Sequence, residues 1–264
     1  MMSPLNPHPS NLDPCRIVSD LRSKDQWTSL IDGRVDAIHL VGFASKSECS
    51  ALLDFIGKHP DTVRYTTAPG IFRLGSSFSD IRKAGQVADA YRREDVLVEA
   101  LAVSGAVSRL IGTIAASWPL GIETLTYDDH VLHRSIARRI VGRGAEAHDD
   151  DIAKDIPGHR SASKVRIQMG VNLYIETPED GGELEGWHRR LSSEEYEAAR
   201  IPGSYGVHRS VLGDPNWILK PSEGDVVVFN NSEIHAIRAS KQARSTWGFF
   251  LGFRSDRLPL LIWS

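Results

Sequence analysis

The stretch VRIQMGVNLYI, residues 165–175, has an apolar residue at every odd position. Side chains two residues apart on a strand point to the same face, so this period of two predicts a strand with one buried apolar face. The even positions carry polar or small side chains, among them Gln168 and Asn172. Shorter strand-like runs follow at residues 225–229 (DVVVF) and 247–253 (WGFFLGF). Short strands divided by turn residues are typical of an all-β barrel or a double-sheet sandwich.

The first half of the chain has a different pattern. A Pro-rich stretch over residues 1–14 predicts a loose arm. The sequence SKSE, residues 45–48, forms a capping box that predicts a helix over residues 48–59. Residues 65–79 are rich in Gly and Ser and predict a long loop, whereas an apolar stripe over residues 85–117 predicts a helical region.

No linker-like stretch separates the two halves near residue 120. We therefore expect a single domain over residues 15–264, preceded by the flexible arm. Residues 15–120 are predicted to provide mostly helical support and substrate-side loops, and residues 121–264 the β core. The predicted fold class is mainly β with a helical N-terminal layer.

Composition excludes several classes of protein. The chain has 264 residues, 41% of them apolar, and its 31 basic and 34 acidic side chains give a formal charge of −3. This apolar share argues against disorder, and the near-neutral balance gives no electrostatic footprint for nucleic acid. No apolar run is long enough to predict a membrane span, and the polar N-terminus does not resemble a secretory signal. With only two cysteines, Cys15 and Cys49, we expect a cytoplasmic protein without nucleic-acid or membrane partners, and the oligomeric state stays open.

A candidate metal site is formed by His148, Asp150 and His235. On an extended strand, His148 and Asp150 share one face and Asp149 lies on the other. Two imidazoles and one carboxylate form the facial triad that binds Fe(II) and leaves coordination positions open. A slip in register would present Asp149 or Asp151 instead, but strand alternation favours Asp150.

A candidate carboxylate clamp follows nine residues after His235, at Arg244 and Thr246. These two side chains share a strand face, and a guanidinium with a neighbouring hydroxyl can bind the distal carboxylate of a dicarboxylic keto acid. Gln168 and Asn172, on the polar face of the long strand, are candidates to line the same cosubstrate pocket. Simple exposure to solvent is the alternative for both of them.

In this order, the motifs resemble those of the 2-oxoglutarate/Fe(II)-dependent oxygenase superfamily. The matching elements over about residues 134–264 are the His148/Asp150 pair, GGEL at 181–184, PSEGD at 221–225, His235, and Arg244 with Thr246. The resemblance implies a double-stranded β-helix (jelly-roll, cupin-like) fold. It also implies catalysis at His148, Asp150 and His235 with Fe(II), 2-oxoglutarate as cosubstrate and O2, and a supporting effect of ascorbate.

The C-terminal sequence RSTWGFFLGFRSDRLPLLIWS is similar to that of stand-alone halogenases of indole alkaloids, whose neighbourhood includes hydroxylases of N-substituted amino acids. Those halogenases have Gly or Ala where this chain has Asp150, so the resemblance implies a hydroxylase and not a halogenase. The stretch TAPGIFRLGSSFS, residues 67–79, is similar to a substrate-side loop of that group. Gly70 and Arg73 are therefore candidate substrate contacts, with a surface role as the alternative for Arg73.

The leading hypothesis is hydroxylation of an unactivated C–H bond of a small molecule, with an N-substituted amino acid as the first candidate. An alkaloid or a nucleotide-like metabolite, or desaturation in place of hydroxylation, is the alternative within the same chemistry. Two alternatives do not use this chemistry. One is a non-catalytic metal-binding jelly-roll protein, and the other is a zinc hydrolase, which can use the same ligand types. Two segments are candidate lids over the site, residues 151–164 and the insertion over residues 187–217.

Overall fold

The structure is a computed structural model that describes residues 15–65, 70–83, 85–91 and 95–264. The predicted arm over residues 1–14 and part of the predicted loop, residues 66–69, lie outside the described residues.

The strands are β1 (Ile17–Val18), β2 (Ala37–Leu40), β3 (Val63–Arg64), β4 (Ile71–Leu74), β5 (Ile122–Thr124), β6 (Thr126–Tyr127), β7 (His130–Val131), β8 (Ile136–Val141), β9 (Ala145–His148), β10 (Ile167–Glu176), β11 (Leu184–Gly186), β12 (Trp217–Leu219), β13 (Val226–Asn230), β14 (His235–Ile237), β15 (Ala243–Phe253) and β16 (Leu260–Trp263). The α-helices are α1 (Lys24–Ile31), α2 (Lys46–Lys58), α3 (Phe78–Lys83), α4 (Val87–Ala90), α5 (Val96–Ala100), α6 (Ala106–Ser117), α7 (Ile152–Asp155) and α8 (Ser193–Ala199).

Two sheets contain most of these strands. The larger sheet has the order β1-β2-β13-β10-β15-β8-β4-β3, with β16 paired to β15 and β5 paired to β16. The smaller sheet has the order β12-β11-β14-β9. The larger sheet is mixed, because β1 with β2 and β5 with β16 pair in parallel while its other pairs are antiparallel. The prediction of a mainly β chain is confirmed, and the three predicted strands correspond to β10, β13 and β15.

The central strand β10 has the two faces that its period of two predicts. Met169, Val171 and Leu173 point into a core that they share with side chains of α1, α2 and α6. Burial of such a side chain contributes roughly 1.5–3 kcal/mol relative to exposure. The opposite face points toward the smaller sheet, where Tyr174 shares a second core with Trp217 of β12. The space between the two sheets is therefore where side chains of both can meet.

Side-chain caps decide where the helices of the first half begin. Ser45 accepts a hydrogen bond from the backbone N–H of Glu48, whose carboxylate accepts one from the N–H of Ser45, so the predicted capping box is confirmed. The single helical stripe predicted over residues 85–117 is wrong in its continuity, because α4, α5 and α6 are separate helices. Asp95 and Ser104 each accept a hydrogen bond from a backbone N–H two residues later, which favours a new start over continuation.

The first 120 residues supply four short strands as well as the predicted helices. The apolar run of β2 pairs with β13, and β4 pairs with β8, so both become part of the larger sheet. Strand β13 would otherwise leave an unpaired edge, and β2 covers it. Within the described residues no helix is long and apolar enough to cross a membrane.

Candidate metal centre and anion pocket

Two histidines face each other across one strand pair of the smaller sheet. His148 ends β9, His235 begins β14, and the two are direct cross-strand partners with ring centroids 4.3 Å apart. Nδ1 of His148 lies 2.7 Å from the carbonyl oxygen of Glu146, and Nδ1 of His235 lies 3.0 Å from that of Glu233. A carbonyl oxygen only accepts, so each Nδ1 donates, and in the neutral ring the lone pair that a metal can take is then on Nε2.

Asp150 completes a group of three metal-ligating side chains. Its Oδ2 is 3.6 Å from Nε2 of His235 and 3.9 Å from Nε2 of His148, and all three ligand atoms lie within 4.8 Å of one another. Strand β9 ends at His148, so Asp150 is not placed by continued strand alternation. Its N–H donates to the carbonyl oxygen of Asn231, and Nδ2 of Asn231 donates to its Oδ2, both at 2.9 Å. This donor set is the one that Fe(II) takes in a facial triad.

The neighbouring aspartates have other partners. Asp149 pairs with Lys154 at 2.8 Å, and Asp151 caps α7 and pairs with Arg190 at 2.9 Å. The structure therefore brings Asp150, of the three consecutive aspartates, to the two histidines.

The electrostatics of the group suit a cation. Burial alone would raise the pKa of the Asp150 carboxyl. The charges of His148 and His235 and the hydrogen bond from Asn231 together outweigh burial, so this pKa lies below its usual value. Burial, reinforced by the charge of His148, lowers the pKa of His235 to about 4 against the opposing effect of Asp150. At neutral pH this site therefore combines a carboxylate with a neutral His235, the protonation state that metal binding requires.

Arg244 lies on β15 in the same cavity and is only 6% exposed. Its Nη2 donates to the hydroxyl of Tyr174 at 3.0 Å, and its guanidinium lies over the Tyr174 ring at 4.7 Å. Nε is buried and has no acceptor, and no carboxylate of the described residues forms an ion pair with Arg244. A buried cation is costly without a counter-charge, so the carboxylate of a ligand fits this position.

Other residues predicted for the cosubstrate pocket separate into two groups. Thr246 is the cross-strand partner of Tyr174, and Thr246 and Asn172 both line the cavity of about 1060 Å³ that contains the metal-ligating group. Gln168 is not among the lining residues; its Oε1 accepts the N–H of Ile152 at 2.8 Å. The prediction that Gln168 lines the pocket is corrected, because its side chain is buried and bonded to the backbone at the start of α7.

The two predicted substrate contacts also differ. Arg73 lines the cavity, donates to the carbonyl oxygen of Gly75 at 2.6 Å and lies over the Tyr65 ring. Gly70 is not among the lining residues. It has φ +91°, and a Cβ there would lie 2.8 Å from the carbonyl oxygen of Val141. The described Gly70 thus serves a tight approach between β4 and β8, which corrects its predicted placement in the pocket.

Both predicted lid segments supply walls of the cavity. Lys154 and Asp155 of α7 represent the first, and Tyr205 belongs to the insertion. The Tyr205 ring meets His148 edge-on at 5.1 Å, and its hydroxyl accepts the N–H of Glu146.

Three residues at the site were missed by the sequence analysis: Tyr174, Asn231 and Tyr205. Tyr174 had a signal, because it shares the polar face of the long strand with Asn172. Asn231 lies in a turn and Tyr205 in the insertion, where no periodic pattern predicts which way a side chain points.

Comparison with curated proteins gives a partial match, and no family model matches the chain. The chain is 30% identical over 129 residues to an L-γ-glutamyl-L-propargylglycine hydroxylase of Streptantibioticus cattleyicolor. The match covers 48% of this chain and 47% of that protein, so it spans about half the length of the relative.

Solved structures match nearly the whole chain. An N-substituted L-amino acid dioxygenase from Burkholderia ambifaria AMMD superposes with a TM-score of 0.59 at 20% identity, covering 89% of each chain. The same dioxygenase in complex with α-ketoglutarate superposes with a TM-score of 0.57, and the match covers 90% of this chain and 89% of that one. HygX from Streptomyces hygroscopicus, with nickel and 2-oxoglutarate bound, gives 0.52 at 14% identity over 87% of each chain. The protein therefore has the fold of these solved structures, as the resemblance in its motifs predicted.

Proposed function

We propose that this protein is an Fe(II)/2-oxoglutarate-dependent dioxygenase that hydroxylates an unactivated C–H bond of a small molecule. One observation carries the proposal: a His–Asp–His group and a buried arginine that has no carboxylate partner among the described residues line a single cavity. A metal bound only for stability does not need such an arginine. In this proposal residues 15–264 form one domain, and the two facing sheets are those of a double-stranded β-helix.

Six residues of the cavity region have defined roles in this proposal. His148, Asp150 and His235 hold Fe(II) through Nε2, Oδ2 and Nε2. Arg244 and Thr246 bind the distal carboxylate of 2-oxoglutarate, and Tyr174 holds the guanidinium in place through its hydroxyl and its ring. When bound, Fe(II), 2-oxoglutarate and O2 together supply the oxidation of the substrate, and the protein contributes mainly position.

Hydroxylation is the outcome that Asp150 supports. Its carboxylate stands where the resembling halogenases have a small residue, so one coordination position is taken by the protein and its negative charge opposes halide binding. The curated relative that matches half of this chain is named as a hydroxylase.

For the substrate we propose an N-substituted amino acid. The structural relative with the TM-score of 0.59 is an N-substituted L-amino acid dioxygenase, and the curated relative hydroxylates a γ-glutamyl amino acid. Arg73 lines the cavity on β4, two strands from Arg244 on β15, and no carboxylate of the described residues forms an ion pair with it. A carboxylate of the substrate fits the guanidinium of Arg73, apart from the cosubstrate at Arg244.

The test combines spectroscopy with turnover. Anaerobic addition of Fe(II) and 2-oxoglutarate should give a weak visible charge-transfer band that His235→Ala abolishes. With O2 and ascorbate, a panel of N-acyl and γ-glutamyl amino acids, alkaloids and nucleotides should include a compound that drives succinate formation and gains one oxygen atom.

A product with two hydrogen atoms fewer than the substrate would favour desaturation instead. Wild-type protein that binds Fe(II) but neither shows the band nor forms succinate would overturn the proposal. Hydrolysis of a panel compound with Zn(II) alone would favour the hydrolase alternative.

A further inference from the structure

Asn231 holds Asp150 at two points. It lies in the turn between β13 and β14 and is 4% exposed. Its Nδ2 donates to Oδ2 of Asp150, and its carbonyl oxygen accepts the N–H of Asp150, both at 2.9 Å. The backbone and the carboxylate of the candidate metal ligand are thus fixed by one residue.

The oxygen that Asn231 holds is the one that faces the histidines. Oδ2 of Asp150 is 3.6 Å from Nε2 of His235 and 3.9 Å from Nε2 of His148. Asp150 follows the end of β9, so no strand pairing sets its side-chain direction. The amide of Asn231 therefore aims this oxygen, since it is the side-chain donor within hydrogen-bond distance of it among the described residues.

Gly170 provides the space for this amide. A Cβ at position 170 would overlap Oδ1 and Cγ of Asn231, whose side chain is buried, so a methyl group there requires the amide to shift. Strand β10 also supports the turn through its backbone, because the N–H groups of Asn231 and Ser232 both donate to the carbonyl oxygen of Gln168. The N–H of Gln168 in turn donates to Oγ of Ser232 at 2.8 Å.

We infer that Asn231, packed against Gly170, is a positioning residue that orients Asp150 for the metal; the inference rests on the metal site of the proposed function. A carboxylate without this donor can rotate, and its orientation must then be fixed when the metal binds. Hydrogen bonds to metal ligands of this kind typically change metal affinity by about 10- to 100-fold.

The experiment measures binding of the metal alone. Anaerobic titrations of the apo-protein with Co(II) and with Fe(II), without 2-oxoglutarate, compare wild type with Asn231→Leu, Asn231→Ala and Gly170→Ala. Asn231→Leu retains most of the side-chain volume and removes the donor, so we expect binding about 10- to 100-fold weaker and an altered Co(II) absorption spectrum. Gly170→Ala should weaken binding similarly, because the new methyl group displaces the amide.

The two positions should also be coupled. Gly170→Ala combined with Asn231→Ala should bind no more weakly than Asn231→Ala alone, because the overlap disappears with the amide. Asn216→Leu is the control with the same change of side chain at an exposed position: Asn216 bonds the backbone of His188, does not line the cavity and should leave metal affinity unchanged. Thermal unfolding of each apo-variant checks that it folds. Asn231→Ser replaces Asn231→Leu or Asn231→Ala if either of them does not fold.

Wild-type protein that binds neither metal would overturn the proposed function together with this inference. Wild type that binds while Asn231→Leu or its substitute stays within twofold would overturn the positioning role alone. Independent, additive losses from Gly170→Ala and Asn231→Ala would contradict the steric link between them.

Discussion

Arg244 shows how one buried charged residue indicates the charge of the ligand that fits beside it. Its hydrogen bond and ring contact with Tyr174 fix the guanidinium but do not neutralise it. Arg238 and Arg254, two other arginines near this part of the sequence, are paired with Glu185 and Glu123. Arg244 is therefore the cation of these three that has charge to offer to a carboxylate.

The prediction for Arg244 concerns the cosubstrate. Arg244→Ala should raise the half-saturating concentration of 2-oxoglutarate by about ten- to a hundredfold, because a charge-assisted bidentate contact contributes about 1.5–3 kcal/mol. Metal affinity should change little. Titration of 2-oxoglutarate by succinate formation measures the effect. Arg139→Ala is the control, since Arg139 pairs with Glu176 on the other face of the sheet; an unchanged half-saturation in Arg244→Ala would rule out the clamp.

Asp150 carries the second prediction at this scale. Asp150→Gly should abolish hydroxylation and weaken metal binding, because it removes one of three protein ligands and leaves the position open. Mass spectrometry of the products with excess chloride tests whether the open position also permits chlorination. Asp149→Asn is the comparison, because Asp149 pairs with Lys154 instead. Full activity in Asp150→Gly, with none in Asp149→Asn, would mean that the ligand is misassigned.

At the scale of elements, α2 shows how a cap and a tertiary contact share one carboxylate. Glu48 closes the capping box with Ser45 and also accepts hydrogen bonds from Arg109 of α6 at 2.8 and 3.1 Å. These bonds, first the one from Arg109, lower the pKa of Glu48 to about 2. Glu48 thereby joins two helices that pack on the same face of the larger sheet.

The prediction for Glu48 is a stability that depends on pH. A folded-state pKa of about 2, against an ordinary value of 4.5, means that the contribution is complete above about pH 4.5 and is lost as the pH falls toward 2. Glu48→Gln should lower the free energy of unfolding by about 1–2 kcal/mol at pH 7, a value reduced for the partial exposure of Arg109. Urea unfolding at pH 7 and at lower pH should show the difference from wild type shrinking.

Asp54→Asn provides the comparison for Glu48→Gln. Asp54 pairs with Lys58 on the exposed side of the same helix, where such a pair contributes about 0.5 kcal/mol or less. A loss in Glu48→Gln no larger than in Asp54→Asn would show that the contact with Arg109 adds nothing.

At the scale of the whole molecule, the site depends on two sheets that face each other. The histidines stand on the smaller sheet and Arg244 on the larger one, so a cosubstrate that contacts both spans the space between them. The insertion is tied to the smaller sheet from outside, where buried Glu185 lies between Arg209 of the insertion and Arg238, at 2.6 Å from each. This attachment keeps the wall that contains Tyr205 over the metal-ligating group.

The sequence by itself was sufficient for features with a local cause. The period of two in β10, the capping box of α2 and the order of motifs around His148 and His235 follow from neighbouring residues, and the structure agrees with the first two. The same reasoning failed where the direction of a side chain depends on packing, as at Gln168, which has the right alternation but bonds the start of α7.

Only the tertiary structure decided which groups meet. It selected Asp150 through Asn231, a residue 81 positions away in the chain. It also left Arg244 buried, with no carboxylate partner in the part of the chain that the structure describes. Neither feature has a periodic pattern, because both depend on strands that pair across long stretches of sequence. Alternation determines which face a side chain takes, whereas sheet order and the turns beyond the strand ends determine what that face meets.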